Sequence, residues 1–337
     1  MSGPYLRTPG KGRSYDIFWK TVFYIGLFAT LAALGWATNQ VDYVWRWERI
    51  PNYFYYEKDI NVTSNLDGSI SSIKKSGENA LIIITGENNE SEQYEIPFSD
   101  LEVYEGDSIF VGDVLGSEKE WTMGIILEGL IVTLKVSAIS IFFGIGIGLL
   151  TGLARISANP ALRMTAITYI ELIRGSPLLV QIFIWYFVLG TLINSILSKY
   201  DISQVPPLWF GIASLAIFAG AYVAEIVRAG IQSVNRGQME AARSLGMSNF
   251  NAMRHIIIPQ AFRRILPPLA GQFISMIKDS SLLGVIAIRE LTKATREAVS
   301  VSLQPFELWF LCAILYLILT FTFSMFVQYL EKRMVQR

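Results

Sequence analysis

The chain is short of charge and almost without cysteine or histidine. Only 17% of its 337 residues are charged, with one Cys and one His. Soluble domains carry about a quarter charged residues, so this composition is not that of an ordinary water-soluble protein. A single cysteine, Cys312, excludes a disulfide framework within the chain and leaves the compartment unread. It lies in an apolar run and reads as a small packing residue. The lone His255 reads as a surface residue. No metal constellation, Cys-His pair or Ser-His-Asp arrangement can be assembled. A Gly-x-x-x-x-Gly-Lys-Ser/Thr phosphate loop is missing, so the chain cannot hydrolyse ATP alone in the usual way. No filter-like glycine run supports a channel. Formal net charge is zero, so nucleic acid is not an expected partner.

What is there is apolar: 52% of residues are hydrophobic. A spanning helix needs about 20 mainly apolar residues. Runs at 22–38, 136–154, 175–198, 202–224 and 308–330 are uncharged, and the run at 265–288 is interrupted only by Lys278 and Asp279. Six spans are expected, five of them after Trp121. The first has basic residues before it, as a signal peptide would. It is long, ends in Trp36 and lacks a clean small-x-small exit, so it reads as a retained anchor.

Charge divides the rest. Residues 39–121 hold 17 of the 28 acidic residues and 6 of the 28 basic ones, which marks an acidic soluble insert. Short loops rich in Lys/Arg stay in the cytoplasm. Arg7, Lys11, Arg13 and Lys20 precede the first span, and Arg155 and Arg163 follow the second. Arg228, Arg236, Arg243, Arg254, Arg263 and Arg264 mark the central loop, and Lys332, Arg333 and Arg337 the tail. Six spans put all four regions inside, with both termini cytoplasmic. Arg289, Lys293 and Arg296 then fall outside, against the rule, with Glu290 and Glu297 beside them.

The insert reads as strands. Residues 80–85 are apolar and largely β-branched between Gly77 and Gly86, and Asn88-Asn89 suits a hairpin turn. Residues 108–115 read as another strand. Tyr104-Glu105-Gly106-Asp107 with Val111-Gly112-Asp113-Val114-Leu115 resembles a hairpin of small lipoyl-like barrels, without their modifiable lysine. A generic β-insert explains the pattern equally well.

The central loop, residues 229–264, is polar and helix-forming between two apolar runs. Gly237 to Leu245 favours helix, and Gly246 suits its end. Ser248 or Asn249 caps a second helix, 250–258, closed by Pro259. An ordered helical pair held on the cytoplasmic side points to a partner.

The segment EAARSLGMSNFNAMRHIIIP, residues 240–259, resembles the EAA loop of ABC importer membrane subunits: EAA, three residues, Gly, nine residues, Ile, one residue, a bulky apolar residue, Pro. Ile258 stands where the family usually has Leu. ELIRGSPLLVQIF, AGAYVAEIVRAGIQSVNRGQ and FISMIKDSSLLGVIAIREL are similar to permeases of polar amino-acid uptake. The likeness covers residues 122–333 and says nothing direct about the first span or the insert. It implies an all-α membrane fold with a five-helix type I importer permease core, to which the apolar run and the acidic segment read above add an extra N-terminal transmembrane helix (17–38) and an extracytoplasmic β-rich insert (39–121). Residues 1–16 and 334–337 would be cytoplasmic. It implies that Glu240, Ala241, Ala242, Gly246 and Pro259 couple to a separate ATPase, whose two copies bind the ATP and Mg; this chain has no cofactor of its own. It further implies an extracytoplasmic amino-acid-binding protein, a second permease subunit and a bacterial inner membrane. Relatives with long N-terminal extensions work as unlike pairs, so a heterodimer is expected over a homodimer.

Polar groups inside spans face a bundle interior or aqueous cavity. Gln181, Tyr222, Glu225, Gln272, Asp279, Ser280 and Ser281 are the candidate pathway for polar L-amino acids, with Glu225 and Asp279 able to accept from an ammonium group. Each has a structural alternative. Glu225 can pair with Arg228, Lys278 with Asp279, and the glutamines can bridge helices. Glu171 and Arg174 read as an i,i+3 structural pair. Gly144, Gly146 and Gly148 can let helices approach closely. The rival to a permease is a membrane-anchored sensor or scaffold whose insert binds a partner.

Overall fold

A computed structural model describes residues 13–40, 43–86 and 90–335. The chain divides into two compact units, meeting between Trp47 and Glu48. The first carries α1 (Arg13–Asn39), whose Phe18, Trp19, Phe23, Tyr24 and Phe28 are all exposed. Thr30 and Thr38 turn their hydroxyls back to the carbonyls of Gly26 and Gly35. After it, the Trp45 and Trp47 rings stack with centroids 5.6 Å apart.

The second unit opens with the insert. Strands β1 (Tyr55–Thr63) and β6 (Val114–Met123) form an antiparallel ribbon. Strands β2 (Gly68–Ser76), β3 (Asn79–Gly86), β4 (Ser91–Pro97) and β5 (Ser108–Ile109) form a sheet in the order β4-β3-β2-β5. Period-two alternation on β3 buries Ala80, Ile82 and Ile84 completely. Ile82 and Ile84 pack with Ile70, Ile96, Val103, Ile109 and Leu115. The expected single strand over 108–115 is two strands. Gly112 sits at φ +96° and the Asp113 carboxylate accepts from the Phe110 N–H at 2.9 Å, which folds that stretch into a turn. Gly106 and Asp107 repeat the device, with Asp107 accepting from the Tyr104 N–H at 2.8 Å. The expected turn residues Asn88 and Asn89 lie outside the described residues.

The remainder is helical: α2 (Ile125–Arg155), α3 (Pro160–Arg174), α4 (Leu178–Phe183), α5 (Thr191–Lys199), α6 (Pro207–Gln232), α7 (Arg236–Ser244), α8 (Asn249–Ala252), α9 (Ile258–Asp279), α10 (Leu291–Ser302) and α11 (Pro305–Val335). A π-helical turn, Ile184–Gly190, joins α4 to α5 without a break. Among the described residues five helices are long and apolar enough to cross a membrane. There are six if the stretch Asn249–Ile286 and α10, bent by 51°, count as one span. Helix α2 begins well before the expected 136, because Glu128 and Lys135 interrupt the apolar run without breaking the helix.

Helices α2 and α6 form the most extensive pair. Gly144, Gly148 and Gly152, one turn apart, turn the same side of α2 to α6. A methyl at Gly148 would stand 2.4 Å from Val223, so only glycine allows this approach. Gly146 faces open space instead. Buried hydroxyls tie the bundle: Ser137 donates to the Met276 carbonyl at 3.4 Å and Ser140 to that of Ile212 at 3.3 Å. Such bonds contribute about 0.6 kcal/mol each in membranes.

Candidate functional site

The central loop folds into two helices around a sharp turn, and each end has a local cause. Asn235 caps α7 by accepting from the Gly237 N–H at 2.8 Å. At the other end the Met247 N–H bonds the Ala242 carbonyl (3.1 Å) and the Gly246 N–H bonds that of Arg243 (3.0 Å). That pair of bonds is a Schellman ending, which needs a left-handed residue. Gly246 supplies it at φ +82°. Ser248 then caps α8 through the Asn251 N–H at 3.2 Å.

Pro259 does not close the second helix, as the sequence suggested. The chain runs helical from Asn249 to Asp279, with a π-helical turn over Met253–Ile257. A proline lacks the N–H and its ring clashes with the carbonyl four residues back. The wide turn just before Pro259 moves that carbonyl aside, so the helix continues.

The loop is held firmly from behind. Val227, Ile231 and Val234 pack against Ile257, Ala261 and Ile265, with Met239, Met253 and Ile256 alongside. The Arg264 guanidinium donates to the Ser233 carbonyl. Ala242 and Ala252 are buried, and their small side chains let the two helices sit close. The front is bare. Glu240 and Ala241 are exposed, and the Glu240 carboxylate has no ion-pair or hydrogen-bond partner among the described residues. Leu245 is 84% exposed and Phe250 69% exposed, on either side of Gly246. These two apolar side chains were missed in the sequence. Their signal was an apolar residue on each flank of the turn in an otherwise polar loop.

The candidate pathway residues separate into two groups. Glu225 is already occupied. Its carboxylate lies 2.6 Å from Arg155 and 2.9 Å from Arg228, joining the end of α2 to α6. The Arg155 contact is a close charge contact rather than a directed hydrogen bond, since neither of those two atoms has hydrogen-bond geometry to a partner. Gln181 is buried and donates to the Ile173 carbonyl (2.7 Å) and to Ser176, fastening the α3–α4 connection, while its Oε1 has no partner. Ser280 is buried and donates to the Ile277 carbonyl at 2.8 Å. Tyr222 lies beside Phe218, with the Arg174 guanidinium 5.2 Å above its ring. Arg174 makes this contact in place of the expected pair with Glu171, which the structure does not contain.

Gln272, Asp279 and Ser281 form the other group. All are half-buried, and no hydrogen bond or close ion pair to their side chains is present among the described residues. Gln272 and Asp279 are seven residues apart and share one face of α9. Ser275 lies on that face between them, equally unpartnered. It was not singled out in the sequence. Lys278 and Asp279 form no ion pair, because neighbours along a helix point away from each other. His255 is exposed, with its ring against the Asn251 carbonyl at 3.1 Å.

Known proteins resemble this chain. The glutamine transport system permease protein GlnP of Escherichia coli (strain K12) is 37% identical over 210 residues, covering 62% of this chain and 93% of that protein. The probable glutamine ABC transporter permease protein GlnM of Bacillus subtilis (strain 168) is 39% identical over 208 residues, covering 62% and 92%. The crystal structure of an amino acid ABC transporter with histidines superposes with a TM-score of 0.55 at 41% identity, covering 62% of this chain and 94% of that one. A methionine ABC transporter in an inward-facing conformation, 19% identical at a TM-score of 0.53, shares the fold. A family profile described as binding-protein-dependent transport system inner membrane component matches residues 144–336. The chain belongs to the family of binding-protein-dependent transport system inner membrane components.

Proposed function

We propose that this chain is the permease subunit of an ATP-driven importer that forms a translocation pathway for polar L-amino acids delivered by an extracytoplasmic binding protein. One observation carries the reading. The loop presents Glu240, Ala241, Leu245 and Phe250 outward from a rigid apolar back. Such a surface is a docking knob: an aliphatic and an aromatic side chain to fill a groove, with a free carboxylate beside them. The partner is an ATPase that holds ATP and Mg, of which the complex has two. A second permease subunit completes the pathway, and an unlike one is favoured because the insert precedes the shared core. The relatives named for glutamine support a polar, uncharged amino acid as cargo.

Within the pathway the α9 face of Gln272, Ser275 and Asp279 is the candidate substrate surface. Its donors and acceptors are uncommitted, unlike the Glu225 carboxylate and the Gln181 amide N–H groups. Glu225 acts as a brace between α2 and α6.

The test is reconstitution of the whole complex in proteoliposomes with its binding protein. Glu240→Lys is expected to abolish binding-protein-stimulated ATP hydrolysis and uptake while the subunits still assemble. Stimulated activity at the wild-type level would overturn the coupling role. A panel of labelled amino acids in the same vesicles identifies the cargo.

A further inference from the structure

Arg289, Lys293 and Arg296 run against the inward bias of positive charge, and the proposed function leaves them unused. They gather on and just before α10, in a cleft of about 650 Å³ that Tyr53, Ile125, Glu297 and Val301 also line. Glu297 is shared, lying 2.7 Å from Arg289 and 3.4 Å from Lys293. Arg296 is exposed, and its guanidinium makes no hydrogen bond or close ion pair among the described residues. Glu290 is buried, and its two oxygens accept from the N–H groups of Thr292 and Lys293 at 2.7 and 2.8 Å. Three cations against two carboxylates leave the cleft positive, with the surplus at Arg296.

Depth in the membrane narrows the occupant, and two helices measure it. The Leu291 N–H donates to the Thr133 hydroxyl at 3.0 Å, and a methyl on Gly129 would stand 2.6 Å from that of Ala294. The start of α10 is therefore level with Gly129 and Thr133 of α2. Along α2, the exposed Lys135 and Arg155 are about 30 Å apart at about 1.5 Å per residue. That is the thickness of the hydrocarbon core, and the headgroup layer on each side is about 5–7 Å deep. Gly129 and Thr133 then lie about 3–9 Å beyond the core, among headgroups. Helix α11 agrees. Its uncharged run begins at Leu308, and Leu291 shares a buried cluster with Cys312, about one turn into that run. Val301, 88% exposed in the cleft, and Leu303, 79% exposed after it, are costly in water and suited to fatty-acyl chains.

We propose that this cleft holds the phosphate of an anionic phospholipid from the leaflet on the insert's side of the membrane. Arg296 supplies the uncommitted guanidinium, whose paired N–H groups match two phosphate oxygens. Arg289 and Lys293 add charge beyond what their shared Glu297 cancels, and Val301 offers apolar contact beside the headgroup. The bound lipid links α10 to Tyr53 at the root of the insert. The proposal needs the membrane setting of the family, and neither the coupling role nor the cargo proposed above.

The experiment is native mass spectrometry of the full-length chain, alone and in its complex, titrated with phosphatidylglycerol or phosphatidylcholine. The first phosphatidylglycerol is expected to bind more tightly than phosphatidylcholine, and Arg296→Gln to weaken it about fivefold. Glu297→Gln, which removes the shared carboxylate, is expected to tighten it by a similar factor. Two variants of opposite sign cannot both be explained by damage to the fold. Arg263→Gln, at an exposed cation of the central loop, is expected to leave the affinity unchanged. Equal affinity for the two lipids, or an unaltered affinity in both cleft variants, overturns the site. So does equal weakening by Arg263→Gln, which would make the effect one of general surface charge. Displacement of the lipid by inorganic phosphate at equal concentration would make the cleft a free-anion site. Binding to the chain alone that disappears in the complex would give the cleft to a protein partner. Either result overturns the lipid assignment.

Discussion

Two short polar helices interrupt the apolar core, and they are built in opposite ways. One, α7, ends on Gly246 at φ +82°, a conformation glycine adopts at no steric cost. The other, α10, is flanked by Ala287 at φ +62° and Leu303 at φ +55°. A side chain in that region costs about 1–2 kcal/mol, so α10 is held there by contacts from elsewhere. The caps differ likewise. Asn235 and Ser248, exposed residues acting on neighbours two or three positions away, shape the loop around α7. Helix α10 starts on the buried carboxylate of Glu290, which also accepts from the Tyr316 hydroxyl at 3.1 Å, across to α11. The α7 loop is locally encoded and exposed on one face. Helix α10 is imposed by the fold around it.

That contrast can be tested at its strongest point first. Glu290→Ala removes an acceptor from two backbone N–H groups and a tyrosine in a buried site, which is expected to cost about 3 kcal/mol. Thermal unfolding of the detergent-solubilised complex should fall by several degrees, with Glu290→Gln recovering part of the loss. An unchanged midpoint would mean that α10 does not depend on this cap. Next, Gly246→Val places a β-branched side chain in the left-handed region, at about 1–2 kcal/mol or more. Nothing lies within 4 Å of a Cβ built there. The damage should therefore stay local, seen as lost stimulated hydrolysis with little change in the unfolding midpoint. A large drop in midpoint would show that the Gly246 turn supports the whole core. The smallest effect is expected from Ala287→Gly. Relief of strain is opposed by the added freedom of the unfolded chain, so a gain of a few tenths of a kcal/mol is the expected outcome. A loss above about 1 kcal/mol would show that the methyl of Ala287 does more than occupy a strained turn.

Much of the central loop was legible because its causes are near neighbours. Gly237 to Leu245 as helix and Gly246 as its end follow from residues within a turn of one another, as does the next cap, for which the sequence offered Ser248 or Asn249 and the structure uses Ser248. Pro259 was misread for the same reason. Proline as a helix stop is a local rule, and the π-helical turn that accommodates it belongs to a helix packed against α6. In the pathway, Glu225 offered two readings along the sequence, and Arg228 is indeed a partner. Arg155, 70 residues earlier, could not be foreseen, because only the α2–α6 contact brings it there. Of the three glycines noted on α2, Gly144 and Gly148 are contact sites and Gly146 is not. Helical phase separates them, and the sequence does not say which face meets a neighbour.

By itself the sequence determined the apolar runs, the acidic insert, the helical loop and its turn. These rest on composition, periodicity and caps, which act over a few residues. The tertiary structure alone decided which polar groups are spent and which are free. Glu225 and Gln181 are committed to bracing the bundle, whereas Gln272, Ser275 and Asp279 are left open on one face. It also decided that Arg289, Lys293 and Arg296 meet Tyr53, more than 200 residues away in the chain, in one cleft. A charged or polar side chain is satisfied by whatever the packing brings within reach, and that distance is set by how helices cross rather than by position in the chain.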